Sequence, residues 1–115
     1  MVKLYHNPRC SKSRQTLQLL NDHGVEPQIV LYLQTPPDTS TLDDICRALK
    51  LAPQDIIRFK EARAKELGLK AKDERDRAQW LRLMADNPVL IERPIAVKGK
   101  KAALGRPPEN VLALL

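Results

Sequence analysis

Val2-Lys3-Leu4-Tyr5-His6-Asn7-Pro8-Arg9-Cys10-Ser11-Lys12-Ser13-Arg14 is the stretch on which the fold turns. Val2 to His6 alternate around Leu4 as a strand does, and Asn7-Pro8 breaks the run. From Ser11 to His23 the pattern becomes helical, with Leu17, Leu19 and Leu20 on an apolar side and Gly24 placed to end it. Cys10 therefore falls at the junction, at the start of a helix. The first turn of a helix has backbone N–H groups without intrahelical partners. The partial positive charge there favours a thiolate over a thiol.

Gln28-Ile29-Val30-Leu31-Tyr32-Leu33 is a short, nearly continuous apolar run, and it reads as a strand buried on both faces beside the first. After the Thr35-Pro36-Pro37-Asp38 loop, a helix is expected from about Ser40, with Asp43 closing a shortened capping box. Leu42, Ile45, Cys46 and Leu49 would form its inner face. Pro53 opens a short helix through Ile56, Ile57 and Arg58, and another spans Lys60 to Leu67 before Gly68. Asp73 is placed to cap a further helix carrying Ala78, Leu81 and Met84 inward, up to Asn87-Pro88. Ile95-Ala96-Val97 and Lys101 to Leu104 read as strands turned by Gly99-Lys100, and Pro107-Pro108-Glu109 opens a final helix. The order is β-α-β, a helical insert over about 40–87, then β-β-α. That is the thioredoxin-like order: an α/β fold, one domain over 1–115, with a mixed central sheet flanked by helices.

The whole chain narrows the classes available. It has 115 residues, enough for one real core. Hydrophobic residues are 43% and charged residues 30%, ordinary for a soluble globular protein. No apolar run approaches a membrane span. The N-terminus enters a strand without a signal-peptide core, so a cytoplasmic location and no membrane partner are expected. The net charge is +6, yet only four residues are aromatic and the basic residues of Lys60 to Arg82 are mixed with acidic ones. Solvated helix faces, not nucleic acid, are the expected use of that charge. The spacing of Cys10, Cys46, His6 and His23 matches no usual zinc pattern, so no metal is expected.

Two cysteines are too few for a disulfide-stapled fold. Cys46 lies on an apolar helix face and reads as a core residue. Cys10 reads as the nucleophile, with Arg9, Lys12 and Arg14 nearby in sequence. Lowering a thiol pKa by one unit takes about 1.4 kcal/mol. A helix end supplies about 0.3–1 kcal/mol, so N–H hydrogen bonds or a cation must add the rest. Nucleophilicity falls by roughly half a log unit per unit lowered, which returns much of the gain in thiolate. Most of the rate must come from binding and orienting an electrophile. Three residues beyond Cys10 stands Ser13, which can hydrogen-bond a thiolate but cannot resolve an adduct. The second thiol must come from Cys46 or from a small external thiol such as glutathione.

Tyr5-His6-Asn7-Pro8-Arg9-Cys10-Ser11-Lys12-Ser13-Arg14 resembles the active-site motif of the glutaredoxin-coupled arsenate reductase family, the ArsC-like proteins. The resemblance continues, in order, through Leu31-Tyr32-Leu33, Thr35-Pro36-Pro37, Ile56-Ile57-Arg58, Asn87-Pro88-Val89-Leu90-Ile91-Glu92-Arg93-Pro94-Ile95 and Gly105-Arg106-Pro107. It implies reduction of arsenate, or a similar oxyanion, to arsenite. Arg58, Arg93 and Arg106 would hold the oxyanion beside the catalytic Cys10. His6 would help to stabilise the thiolate, together with Ser13. Pro94 would be the cis proline facing the cysteine, which makes Arg93-Pro94 the expected cis bond. No bound cofactor is implied; glutathione would serve as co-substrate, and glutaredoxin as partner. Phe59-Lys60 stands where plasmid-type members carry Lys-Asn, and Ser11-Lys12 replaces small residues, features of the shorter chromosomal branch. Two alternatives remain open. One is a general glutathione-dependent thiol oxidoreductase, and the other an Spx-like regulator that binds RNA polymerase. Ser13 removes the Cys-x-x-Cys switch of the latter.

Overall fold

The computed structural model describes residues 1–115, in two compact units: Met1–Thr35 with Arg93–Leu115, and Pro36–Glu92. The insert thus begins earlier and ends later than the 40–87 read from the sequence.

The first unit is built on a four-stranded sheet. Its strands are β1 (Val2–Tyr5), β2 (Gln28–Val30), β3 (Ile95–Lys98) and β4 (Lys101–Leu104), in the order β2-β1-β3-β4. β1 runs parallel to β2, and β3 antiparallel to both β1 and β4. This is the mixed sheet of the thioredoxin-like order. Leu4 lies opposite Ala96. Alternation along β1 puts Val2 and Leu4 on one face. There they meet Leu20 of helix α1 (Ser11–Asp22) and Val111 and Leu114 of the C-terminal segment in a buried cluster. Leu17, Leu19, Val25 and Ala103 pack around it.

Two expectations for this unit need correction. β2 is three residues long, and Gln28 and Ile29 are exposed. Its apolar run suggested a strand buried on both faces, but β2 is the edge of the sheet. The Gln34 and Thr35 N–H groups fold back to the Leu31 carbonyl, each at 2.9 Å, and end the strand in a turn. The final helix is 3-10 over Pro108–Leu114. Pro107 and Pro108 bring no N–H groups to its start, and at 7 residues it is longer than most 3-10 segments.

The second unit is helical. Helix α2 (Thr39–Leu49) is capped by Asp38, whose carboxylate accepts from the Thr41 N–H at 2.8 Å. The expected start at Ser40 with Asp43 as its box residue is therefore displaced. Asp43 instead pairs with Arg47 at 3.0 Å and Arg77 at 2.6 Å. A 3-10 turn covers Pro53–Ile56, α3 spans Ala62–Glu66, and α4 spans Arg77–Asp86. Asp76, not Asp73, caps α4, in a reciprocal capping box with Gln79. Asp73 closes the preceding turn by accepting from the Lys70 N–H at 3.0 Å. Either aspartate satisfies the sequence rule, and the turn consumes the first. Trp80, Leu81 and Met84 face inward from α4, whereas Ala78 is exposed. Leu42, Ile45 and Cys46 are buried on α2. No helix is long and apolar enough to cross a membrane.

Gly105 packs where a side chain has no room. A Cβ there would lie 2.5 Å from Thr16 Oγ1 and 2.6 Å from Pro94 Cγ, and its N–H donates to the Pro94 carbonyl at 2.9 Å. Gly105→Ala is expected to destabilise the protein by about 1–3 kcal/mol, the usual range for overpacking. Urea unfolding followed by circular dichroism and by the fluorescence of Tyr5 and Tyr32, which lie in the same unit, reads this; an unchanged midpoint would contradict the packing described.

Candidate functional site

Cys10 is the N-cap of α1 and has an extended backbone (φ −94°, ψ 124°). The loop before it is held by its own polar groups. The Asn7 carboxamide oxygen accepts from the Arg9 N–H at 3.0 Å, and the Asn7 carbonyl accepts from the Cys10 N–H at 3.0 Å. Ser13, one turn into the helix and fully buried, accepts from the Asn7 N–H through its hydroxyl at 3.2 Å. Arg14 donates to the Pro8 carbonyl at 2.9 Å. Sequence thus builds a short tied loop that delivers a cysteine to a helix start.

Two arginines of the same unit meet the sulfur. Arg106 Nη2 lies 3.8 Å from Cys10 Sγ, while its Nε donates to the Arg93 carbonyl at 2.7 Å. The Arg93 side chain hydrogen-bonds Cys10 and also Tyr32. The Arg93-Pro94 and Arg106-Pro107 peptides are both cis.

The electrostatics follow from this geometry. Burial alone would push the Cys10 thiol up in pKa. The Ser13 N–H, the Arg93 guanidinium and the Lys12 N–H oppose it, and the thiol ends below its ordinary value. The helix start and a cation each contribute, as the energy arithmetic required. Burial likewise disfavours the charged form of Arg93, but its contacts with Cys10 and Tyr32 more than restore it. Cys46 is the opposite case. It is fully buried in the helical unit, and its thiol is pushed up to about 11, chiefly by burial.

Several residues singled out from the sequence are placed differently from their expected roles. Ser13 acts on the sulfur through its backbone N–H, while its hydroxyl is engaged at Asn7. His6 is buried, and burial together with the nearby Arg14 charge lowers its pKa. A neutral imidazole results near neutral pH, so the imidazolium anticipated as a thiolate partner is not what this environment favours. Burial is costly to a charged ring, and Arg14 repels it. Arg58 belongs to the helical unit, where it pairs with Glu92 at 3.2 Å and Glu61 at 3.4 Å. Its N–H donates to the Leu90 carbonyl at 2.7 Å, next to the Ile57–Ile91 bridge. Tyr32, absent from the residues expected at the site, is brought to it through Arg93. Its signal was a tyrosine inside a run of aliphatic residues, where a phenol hydroxyl demands a partner. No three His, Cys, Asp or Glu side chains converge to hold a metal ion.

Iodoacetamide should alkylate Cys10 in the native protein and leave Cys46 untouched. The Cys10 rate should reach half its plateau at a pH below that of an ordinary thiol, because only the thiolate reacts. Arg93→Ala should move that midpoint upward. Peptide mass spectrometry across a pH series checks both; a Cys10 profile unaffected by Arg93→Ala would contradict the assigned electrostatics.

Comparison with known proteins agrees with this geometry. The ArsC family pattern matches residues 5–114. YfgD of Escherichia coli K12, a protein of uncharacterized function, is 50% identical, over 99% of this chain and 96% of its own. An arsenate reductase of Neisseria meningitidis is 49% identical, over 99% of this chain and 97% of its own. The solved structure of an arsenate reductase from Vibrio cholerae superposes with a TM-score of 0.94 at 43% identity, covering 99% of this chain and 97% of that one. A match running from the first strand to the last turn, through the Cys10 loop and both sulfur-facing arginines, makes this chain a member of the ArsC family.

Proposed function

We propose that the protein reduces arsenate to arsenite, with Cys10 as nucleophile and glutathione and glutaredoxin as the source of electrons. The observation that carries this reading is the pair of guanidinium groups, Arg93 and Arg106, at one sulfur. Lowering the pKa of a thiol needs one cation at most. Two permanently charged planar forks suit an incoming tetrahedral anion, whose oxygens they can grip in pairs. Arsenate is such an anion near neutral pH. The names of the relatives, arsenate reductases among them, point the same way.

The chemistry starts with attack of the Cys10 thiolate on arsenic(V). A sulfur–arsenic bond forms and one arsenic oxygen departs as water. Arg93 and Arg106 hold the remaining oxygens and offset their charge as the thiolate approaches. Glutathione then displaces a second arsenic oxygen as water through its own sulfur, since Ser13 supplies no second thiol. A glutaredoxin thiolate then takes the glutathione sulfur as a mixed disulfide. The electron pair of the broken bond passes to arsenic, which becomes arsenic(III). Hydrolysis frees arsenite and regenerates Cys10. In sum, two thiols become one disulfide, arsenic gains two electrons, and one water is released. Cys46 takes no part, because a thiol pushed up to about 11 and fully buried is no nucleophile at neutral pH. For Arg58, which pairs with Glu61 and Glu92, an oxyanion-binding role rests on its match to the family motif alone. No bound cofactor or metal enters the cycle.

The assay is arsenate-dependent NADPH oxidation coupled through glutathione reductase, glutathione and glutaredoxin. Wild type should turn over, and Cys10→Ser should not. Loss of a charge-assisted hydrogen bond costs about 1.5–3 kcal/mol, so Arg93→Ala and Arg106→Ala should each lower kcat/KM for arsenate roughly ten- to hundred-fold. Arg58→Ala should act in the same direction. Arg14→Ala should change little, since its guanidinium is exposed and donates to the Pro8 carbonyl. Equal losses at Arg14 and Arg93 would remove the oxyanion role. Turnover of a glutathione mixed disulfide with none of arsenate would make the protein a general thiol oxidoreductase.

A further inference from the structure

Tyr32 sits where the chain turns out of β2. Both the Gln34 and Thr35 N–H groups donate to the Leu31 carbonyl, so the turn is tight and its side chains diverge. Leu33 is 43% exposed, and Gln34 and Thr35 also face solvent, while Tyr32 is 1% exposed. Hydrophobicity alone would choose the reverse, with leucine inside and the tyrosine tip in water. A buried phenol needs a partner for its hydroxyl. Here the partner is the Arg93 side chain, the one that also reaches the sulfur of Cys10.

A guanidinium carries five donors in a rigid plane. One contact leaves that plane freer to swing than two contacts do. Tyr32 and Cys10 supply two such contacts to Arg93. A phenol is suited to the first place because it is neutral. A carboxylate there would offset the positive charge that the thiolate and an incoming anion require. A phenylalanine would fill the same space and hold nothing. The Arg93 carbonyl in turn receives Arg106 Nε at 2.7 Å, so the residue anchored by Tyr32 also anchors the second arginine at the sulfur.

We propose that Tyr32 is a positioning residue, whose buried hydroxyl holds the Arg93 guanidinium against the Cys10 sulfur. It touches no reacting atom. Its effect on arsenate turnover rests on the function proposed above, but its effect on the Cys10 thiolate does not.

The test is Tyr32→Phe in the full chain, which removes one oxygen and keeps the ring. Alkylation of Cys10 by iodoacetamide, followed across pH, should shift its midpoint upward, so that the rate near pH 6 falls several-fold. Tyr32→Phe added to Arg93→Ala should produce no further shift, because the two act through one guanidinium. In the coupled assay KM for arsenate should rise several-fold, with kcat changed less. An unchanged alkylation profile in Tyr32→Phe would overturn the proposal. So would a shift of the same size with and without Arg93, since that would mark a merely structural effect. If the alkylation shift appears but wild type shows no arsenate turnover, the positioning role stands and only the substrate reading falls.

Discussion

Easing the ionisation of a covered sulfur is the constraint on which the rest of this protein depends. Cys10 is 8% exposed, and burial by itself opposes its ionisation. The helix start answers part of that cost through the Ser13 and Lys12 N–H groups, and a guanidinium answers the remainder. A helix end alone supplies less than one unit of pKa lowering on ordinary magnitudes, and here N–H groups and a distant arginine both add to it.

The sheet makes that convergence possible. β1 leads into the loop that presents Cys10, and β3 begins immediately after Arg93-Pro94. Their antiparallel pairing, with Tyr5 opposite Ile95, sets the end of one beside the start of the other. β4 ends at Leu104, opposite Ile95, and Arg106 follows at once. Three ends of neighbouring strands therefore deliver Cys10 and two arginines to one place. Gly105 permits the close approach, with Thr16 and Pro94 occupying the space a side chain would need. Stability and site geometry are joined at that contact.

The two cysteines show how one side-chain type takes opposite roles. Both are buried, yet only Cys10 has N–H donors and a guanidinium facing its sulfur. Cys46 is fully buried in a helical unit, where burial dominates, the charge of Arg77 is opposed by Asp43 and Asp55, and the thiol stays protonated. Exposure does not separate them; the polarity of the immediate surroundings does. His6 illustrates the same rule from the other side, since a cationic neighbour and burial hold it neutral.

Much of this was legible in the sequence, wherever the information is local. The strand, the Asn7-Pro8 break and the helix start located Cys10 without coordinates, because capping and periodicity act over a few residues. The β-hairpin at Gly99-Lys100 and the core face of α2 were equally plain. Choices between equivalent local signals were not. Asp73 and Asp76 both satisfy a capping rule, as do Asp38 and Ser40, and only the path of the surrounding turns selects one. The apolar run at Gln28–Leu33 identified a strand but not its place at the sheet edge, which depends on what pairs beside it. Tyr32 was decided by tertiary structure alone. Nothing within a few residues of it says that its hydroxyl meets a guanidinium sixty residues later. The sequence by itself determined which thiol stands at a helix start, since capping and periodicity are local properties. Tertiary structure decided what surrounds that thiol, because charge acts through space and the arginines reach the sulfur only when the strands pair.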